Sequence, residues 1–200
     1  MVSIKIYIEG GGKGKYLEIC FQRAWTKFFQ SAGLSGQMPR PVRGKGRKQA
    51  YDLFVTALEK REKNVLPLLL VDSEDAITKG HTVWKHLQTR DGLEKPEKAG
   101  DKHAYLMVQL METWLIADPE ALHDYFGSRF KSNSIPVWTN LETVSKPDIL
   151  NALDKATARC EKCYAKGKIS FEVLGKISPE KVAEKCPHAK RFLDFLATNR

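Results

Sequence analysis

Apolar residues recur at every second position at the start of the chain, at Ile4, Ile6 and Ile8, and Tyr7 then closes the gap between the last two. Residues 3–8 therefore predict a β-strand that becomes buried toward its end. Glu9 stops it, and Gly10-Gly11-Gly12-Lys13-Gly14 cannot continue a strand. From Lys15 the apolar spacing turns helical, with Leu17, Cys20, Phe21, Ala24, Trp25 and Phe28 on one face. The opening thus reads as strand, glycine turn, helix. A loop with Pro39 and Pro41 follows, then a short strand around Val42 and a second amphipathic helix carrying Ala50, Leu53, Phe54, Ala57 and Leu58. Residues 66–71 are a continuous apolar run, the pattern of a strand buried on both faces of a parallel sheet, and they end abruptly in Asp72-Ser73-Glu74-Asp75.

Beyond this point the signals alternate again. Residues 82–88 predict a short helix, 89–102 a polar loop, and 103–108 another strand. A helix then holds Glu112 and Trp114, and Asp118-Pro119 opens a further short helix to about Phe126, because proline is well tolerated at a first helical position. After a loop rich in Ser and Asn, residues 148–164 predict a helix. Ser178-Pro179 starts another with a serine cap, and from Pro187 a last helix turns Phe192, Phe195 and Leu196 inward. There is no internal repeat, low-complexity tract or long linker. The expectation is a single α/β domain over 1–200, with a core at about 1–126 and a helical C-terminal extension at about 127–200. Strands alternating with helices imply right-handed crossovers and a mostly parallel sheet flanked by helices on both faces. In such sheets ligands sit beyond the carboxyl ends of the strands.

Composition narrows the setting. A chain of 200 residues, 42% of them apolar, is large enough for one well-buried core without covalent staples. No window approaches the ~18–20 consecutive apolar residues of a membrane span, and the N-terminal alternation is not a signal-peptide core. Four cysteines in this context read as reduced thiols or metal ligands, and the expected compartment is the cytosol. The formal charge of +9 is uneven: residues 1–70 hold 13 basic and 5 acidic side chains, and the remainder 20 and 19. The basic character therefore belongs to one region, with either a polyanion-facing role or a solvated basic face. Arg40, Arg43, Lys45, Arg47 and Lys48 place five cations in nine residues without an acid, a track suited to a nucleic-acid backbone, with a solvated loop as the alternative. Lys13 and Lys15 lie on a glycine turn at a helix start, where backbone amides and the helix dipole also attract phosphate.

The residues that close the strands are mostly acids. Glu9 ends the first strand, Asp72, Glu74 and Asp75 follow the long apolar one, and if the two strands are neighbours these carboxylates converge. Clustered carboxylates repel unless a cation or shared protons offset them, and hard oxygen ligands suit Mg²⁺ or Mn²⁺. Glu112 is the only charged residue in the otherwise apolar stretch 107–117, so it needs a partner if buried. The alternative is structural: Asp72, Ser73 and Asp75 as caps or turn formers, Glu9 paired with a lysine and Glu112 with an arginine.

Glu9-Gly10 after one apolar strand and Asp72-Ser73-Glu74 after another resemble the TOPRIM domain of topoisomerases, primases and overcoming-lysogenization-type nucleases, whose glutamate-glycine turn is paired with an Asp-x-Asp motif; here Asp-x-Glu stands in. The chain is also similar to a small bacterial family of unknown-function TOPRIM-like proteins in the Glu-Gly-Gly-Gly turn, in Val71-Asp72-Ser73-Glu74-Asp75 and in Met111-Glu112-Thr113-Trp114-Leu115-Ile116-Ala117-Asp118. The likeness continues in Phe171-Glu172-Val173-Leu174-Gly175 and Cys186-Pro187-His188-Ala189. The resemblance implies a metal-dependent nuclease site acting on DNA or RNA. In it Asp72 and Glu74 hold Mg²⁺, with Asp75 beside them, Glu9 is a ligand or general acid-base group, and Glu112 completes the cluster. It also implies a bacterial antiphage component working beside an AAA-type ATPase. Lys13 stands where the family commonly has an aspartate, which either removes a ligand or replaces it by a phosphate-binding cation.

Two further functions compete: a non-catalytic nucleic-acid-binding partner subunit, made credible by Lys13, and a phosphotransfer enzyme on a small substrate, for which the linear basic cluster would be surplus. The glycine turn is not a nucleotide P-loop, because its spacing is one residue short and Tyr16 stands where a Mg²⁺-binding Ser or Thr is required. Cys160, Cys163, Cys186 and His188 could supply four zinc ligands. Against it, Cys160 and Cys163 lie in a predicted helix, where cysteines three apart also serve as small core residues.

Overall fold

The computed structural model describes residues 2–199. Its core is a four-stranded, all-parallel sheet in the order β2-β1-β3-β4, formed by β1 (Ser3–Glu9), β2 (Arg40–Gly44), β3 (Val65–Asp72) and β4 (Ala104–Met107). The period-two alternation sorts side chains to opposite faces. Ile4, Ile6, Ile8, Leu68, Leu70, Tyr105 and Met107 enter the larger apolar cluster; Tyr7, Leu69, Val71, Ala104 and Leu106 enter the smaller.

Helices cover both faces. On the smaller side lie α2 (Arg47–Lys60), through Ala50, Phe54 and Leu58, and α3 (Val83–Asp91), through Val83, Trp84 and Leu87. The larger side packs α1 (Lys15–Ser31), α4 (Met111–Leu115) and α5 (Pro119–Phe126) together with α6 (Lys146–Thr157), α7 (Lys168–Leu174), α8 (Pro179–Lys185) and α9 (Pro187–Thr198). Its centre is aromatic: the Trp114 ring stacks on Phe28 with centroids 5.7 Å apart and also meets Trp25 and Phe192. Ile149, Leu153, Phe171 and Phe192 of the C-terminal helices belong to the same cluster as Ile4 and Leu68 of the sheet, so these helices build one wall of the common core. Among the described residues no helix is long and apolar enough to cross a membrane.

The local signals are where the sequence places them. Asp118 caps α5 ahead of Pro119 by accepting from the Ala121 amide, and Ser178 caps α8 by accepting from the Lys181 amide. One helix is shorter than expected. Instead of running over 148–164, α6 ends at Thr157, whose hydroxyl accepts from the Tyr164 amide at 2.9 Å and ties off an irregular loop. Cys160 and Cys163 consequently lie in that loop and not on a helix, Cys160 buried and Cys163 exposed.

Candidate active site

Parallel register brings the ends of β1 and β3 side by side, with Ile8 opposite Leu70 and Asp72 opposite Met107 of β4. The carboxyl edge opens into a cavity of about 560 Å³ lined by Glu9, the glycine turn with Lys13, Asp72 and Glu74. Its far wall brings Met111 and Glu112 of α4, Leu17 of α1, and Lys166, Gly167, Ser170 and Phe171. Four of the five carboxylates expected from the sequence therefore meet in one cavity.

Glu9 Oε2 accepts from the Asp72 amide at 3.3 Å and from Arg47 Nε at 3.2 Å, which couples the ends of the two strands directly. Glu74 follows with φ 65°, its amide donating to the Gln109 carbonyl at 2.7 Å, and this left-handed turn directs the carboxylate to Arg47 and Lys146. Burial alone would raise the Glu74 carboxyl, but the hydrogen bond and charge of Lys146, with Arg47 and Arg90, hold it below its ordinary value. Asp75 does not join the cluster; it is exposed and paired with Arg90 at 2.7 Å, because Ser73 Oγ clamps the Asp75 carbonyl and turns the chain away.

Glu112, in the first turn of α4, is 3% exposed. Its partner is not an arginine. Tyr164 donates to Oε1 at 2.5 Å and lies 2.9 Å from Ser170 Oγ, while Lys166 Nζ stands 3.7 Å from Oε2. Burial, then the Glu112 charge and hydrogen bond, push the Tyr164 phenol well above its usual value, so it remains a donor.

Asp72 lies at the centre. Its Oδ1 is shielded from solvent and has no hydrogen-bond partner. Burial first, then the charges of Glu9, Glu112 and Glu74, hold its carboxyl well above the ordinary aspartate range. A partnerless buried carboxylate oxygen surrounded by other carboxylates calls for a shared proton or a cation, and oxygen-only donors would suit a hard divalent ion. As the side chains stand, no three His, Cys, Asp or Glu among the described residues form a metal-holding group. Each of the three neighbours is engaged elsewhere: Glu9 by Arg47 and the Asp72 amide, Glu74 by Arg47 and Lys146, and Glu112 by Tyr164. The donor chemistry fits, and binding would require these carboxylates to exchange their present partners for the ion.

The basic track divides. Arg43 is buried, donating from Nε to Glu18 at 2.8 Å and from Nη1 to the Gly11 carbonyl at 3.2 Å. It braces the glycine turn instead of facing solvent. Arg47 is also internal, its side chain 12% exposed, and it engages Asp91 through both carboxylate oxygens besides Glu9 and Glu74. β2 pairs with β1 so that Ile8 faces Arg43 and Glu9 faces Gly44, which brings Arg43 and, just after the strand, the start of α2 with Arg47 to the strand ends. A Cβ on Gly44 would come within 2.5 Å of the Ala50 amide, so only glycine lets α2 begin this close to the sheet edge. Lys13, Lys15 and Lys45 are exposed, and Lys48 is exposed beside Asp52 of the next turn. In the turn itself Gly12 has φ 85°, a left-handed backbone that glycine adopts without penalty.

The sequence pattern does not mark Tyr164, Lys166, Ser170, Lys146 or Asp91 as site residues. Ser170 directly precedes the Phe171-Glu172-Val173 motif, which is a usable pointer; Tyr164 and Lys166 sit in an aperiodic loop that carries none. The cysteine and histidine set does not converge as a zinc site among the described residues. His188 instead pairs through Nδ1 with the buried Glu142 at 2.6 Å, and burial, with the Glu142 charge, raises the Cys186 thiol far above its usual range.

A sequence-family model described as a domain of unknown function (DUF4276) matches residues 8–197, from the last residue of β1 before Glu9 to near the end of α9. Comparison with curated proteins and with solved structures gives no match.

Proposed function

This chain belongs to the DUF4276 family, and we propose that it is a divalent-metal-dependent phosphodiesterase of TOPRIM type that cleaves nucleic acid. The observation that carries this reading is the partnerless, buried Oδ1 of Asp72, ringed by Glu9, Glu74 and Glu112 in a cavity that Lys13 and Lys166 also line. Asp72, Glu9 and Glu112 would hold Mg²⁺ or Mn²⁺, with Glu74 beside them. Such an ion supplies polarisation of a phosphoryl oxygen and acidification of a bound water.

The chain's own groups supply the remaining requirements. Lys13, at the tip of the glycine turn, offers a cation to the phosphate at the cavity mouth, so the departure from an aspartate at this place favours substrate binding over metal ligation. Tyr164 holds one oxygen of Glu112 and leaves the other on the Lys166 side. Leu17, Met111 and Phe171 form an apolar wall that limits water around the carboxylates and so strengthens their pull on a cation. Arg43 keeps the turn in place through Gly11.

Purified protein should cleave DNA or RNA with Mg²⁺ or Mn²⁺ and lose all activity with a chelator. Glu112→Gln should lower cleavage and metal affinity together. Tyr164→Phe, removing an outer hydrogen bond to a ligand, should weaken metal affinity by about 10-fold or more. Metal binding without cleavage of any nucleic acid, alone or with an AAA-type ATPase partner, would instead establish the non-catalytic subunit. Reversing Lys13, Lys15 and Lys45 to glutamate should weaken nucleic-acid binding and flatten its dependence on salt, since each phosphate contact contributes about 0.7–0.9 to the logarithmic salt slope. The same reversal at buried Arg43 should damage folding instead; an unchanged salt slope in the triple variant would exclude this surface as the substrate path.

A further inference from the structure

We propose that Arg47 takes the place of a second divalent ion, so that this centre holds one metal ion and not two; the inference rests on the metal-dependent reading above. Two-metal phosphoryl-transfer sites place their ions about 3.5–4 Å apart, bridged and flanked by carboxylates on both sides. Here one flank is already filled. The Arg47 guanidinium contacts Glu9 Oε2 through Nε at 3.2 Å and Glu74 Oε1 through Nη2 at 3.2 Å, bridging two strand-end carboxylates as a metal ion would.

It is fixed there from behind. Nη1 donates to both oxygens of Asp91 at 2.9 Å, and Asp91 is itself paired with Arg90 at the end of α3. The side chain is 12% exposed, and Gly44 allows the helix start that carries it to approach the edge of β1. A planar, permanently charged fork suits this role, because it can bridge two carboxylates and a third at once and does not lose its proton. Lys146 supplies a further contact to Glu74 from the start of α6.

The charge balance agrees. Glu9, Asp72, Glu74 and Glu112, with Asp91 and Asp75 behind them, are six carboxylates, and Arg47, Lys146, Lys166 and Arg90 are the four cations of the same network. One divalent ion is enough to neutralise what formal negative charge remains, whereas a second would make the centre cationic. The remaining place is at the unpartnered Oδ1 of Asp72, which shares the cavity with Glu9 and Glu112. Chemically, an ion at Asp72 would serve the attacking or leaving oxygen, and Arg47, which contacts Glu9 and Glu74 without itself lining the cavity, would hold those two carboxylates at fixed positive charge without being free to exchange.

The test is the stoichiometry and coupling of Mn²⁺ bound to the full chain, by calorimetry and electron paramagnetic resonance. Wild-type protein should bind about one Mn²⁺ per chain with an uncoupled spectrum, and cleavage should rise with Mg²⁺ without cooperativity. Arg47→Ala should bind about two, with exchange coupling between them; Arg47→Lys, which keeps the charge, should stay near one. If Arg47→Ala does not fold, Arg47→Gln, which keeps length and hydrogen bonding, replaces it, and the wild-type count decides independently. Two coupled ions in the wild type, or a single ion in the neutral variants, would overturn the proposal while leaving a metal-dependent enzyme intact. No bound Mn²⁺ in any form would overturn the metal-dependent reading and this inference with it.

Discussion

Asp72→Asn is expected to melt at a higher temperature than the wild type in metal-free buffer at pH 7, while losing metal binding and about 10²–10³-fold in cleavage. The rate loss follows from removing the central ligand: metal ions supply several kcal/mol of transition-state stabilisation, at about 1.4 kcal/mol per tenfold. The gain in stability has the same origin. Oδ1 of Asp72 is buried without a partner and Glu9, Glu112 and Glu74 repel its charge, so ionising it opposes folding. An asparagine in its place carries no charge and can donate to a neighbouring carboxylate. Relief of a buried unsatisfied group contributes about 1–3 kcal/mol, and each kcal/mol shifts Tm by roughly 2–4 °C in a domain of this size.

The pH dependence has a definite sign. The native carboxyl of Asp72 is raised above its unfolded value, so its contribution to stability is fully present below the unfolded pKa of about 3.9 and lost as pH rises through the native one. The variant should therefore match the wild type near pH 4 and outlast it increasingly toward neutrality. Mg²⁺ at 1,000 times Kd should reverse the order, adding about 4.1 kcal/mol to the wild type and little to the variant. Equal melting temperatures at pH 7 with and without the charge would refute a strained carboxylate at this place.

The strand ends could be read from the chain because their cause is local. Period two, a glycine break and an apolar run ending in Asp72-Ser73-Glu74-Asp75 describe two parallel strands, and strand ends in such sheets face the ligand side. Whether a nearby arginine faces solvent or the cluster depends on register. Ile8 falls opposite Arg43 only once β2 lies beside β1, and shifting the pairing by one residue would turn Arg43 to the other face. Nothing in the spacing of Arg40, Arg43, Lys45, Arg47 and Lys48 specifies that pairing, so a run of five cations looked continuous where the fold divides it. Tyr164 and Lys166 lie more than 50 positions from Glu112 in a loop without periodicity, and only the common core of α4, α6 and α7 brings them there.

The stretch 111–118 shows how one motif can combine chemistry with scaffold, and Asp118→Ala tests the scaffold half. Glu112 faces the cavity, Trp114 fills the aromatic core, and Asp118 joins two distant helix starts. Its Oδ1 accepts from the Ala121 amide at 3.2 Å and from Lys181 Nζ at 2.8 Å; its Oδ2 accepts from the Ser178 amide at 3.0 Å. Alanine would leave those amides without their acceptor and return Lys181 to Glu120 alone. Breaking a buried charged pair costs about 3–5 kcal/mol, and because the Lys181 side chain is 36% exposed the expected loss is about 2–3 kcal/mol, or roughly 4–12 °C in Tm. Burial alone would raise the Asp118 carboxyl, but the Lys181 hydrogen bond and the two amides hold it below its ordinary value. Its stabilisation is thus present above the unfolded pKa of about 3.9 and disappears as pH falls through the lower native one, so the variant and the wild type should converge only in strong acid. Mn²⁺ binding measured well below the melting point should be retained, because Asp118 lies outside the cavity lining. Loss of Mn²⁺ by a folded Asp118→Ala protein would mean that Asp118 acts on the centre itself.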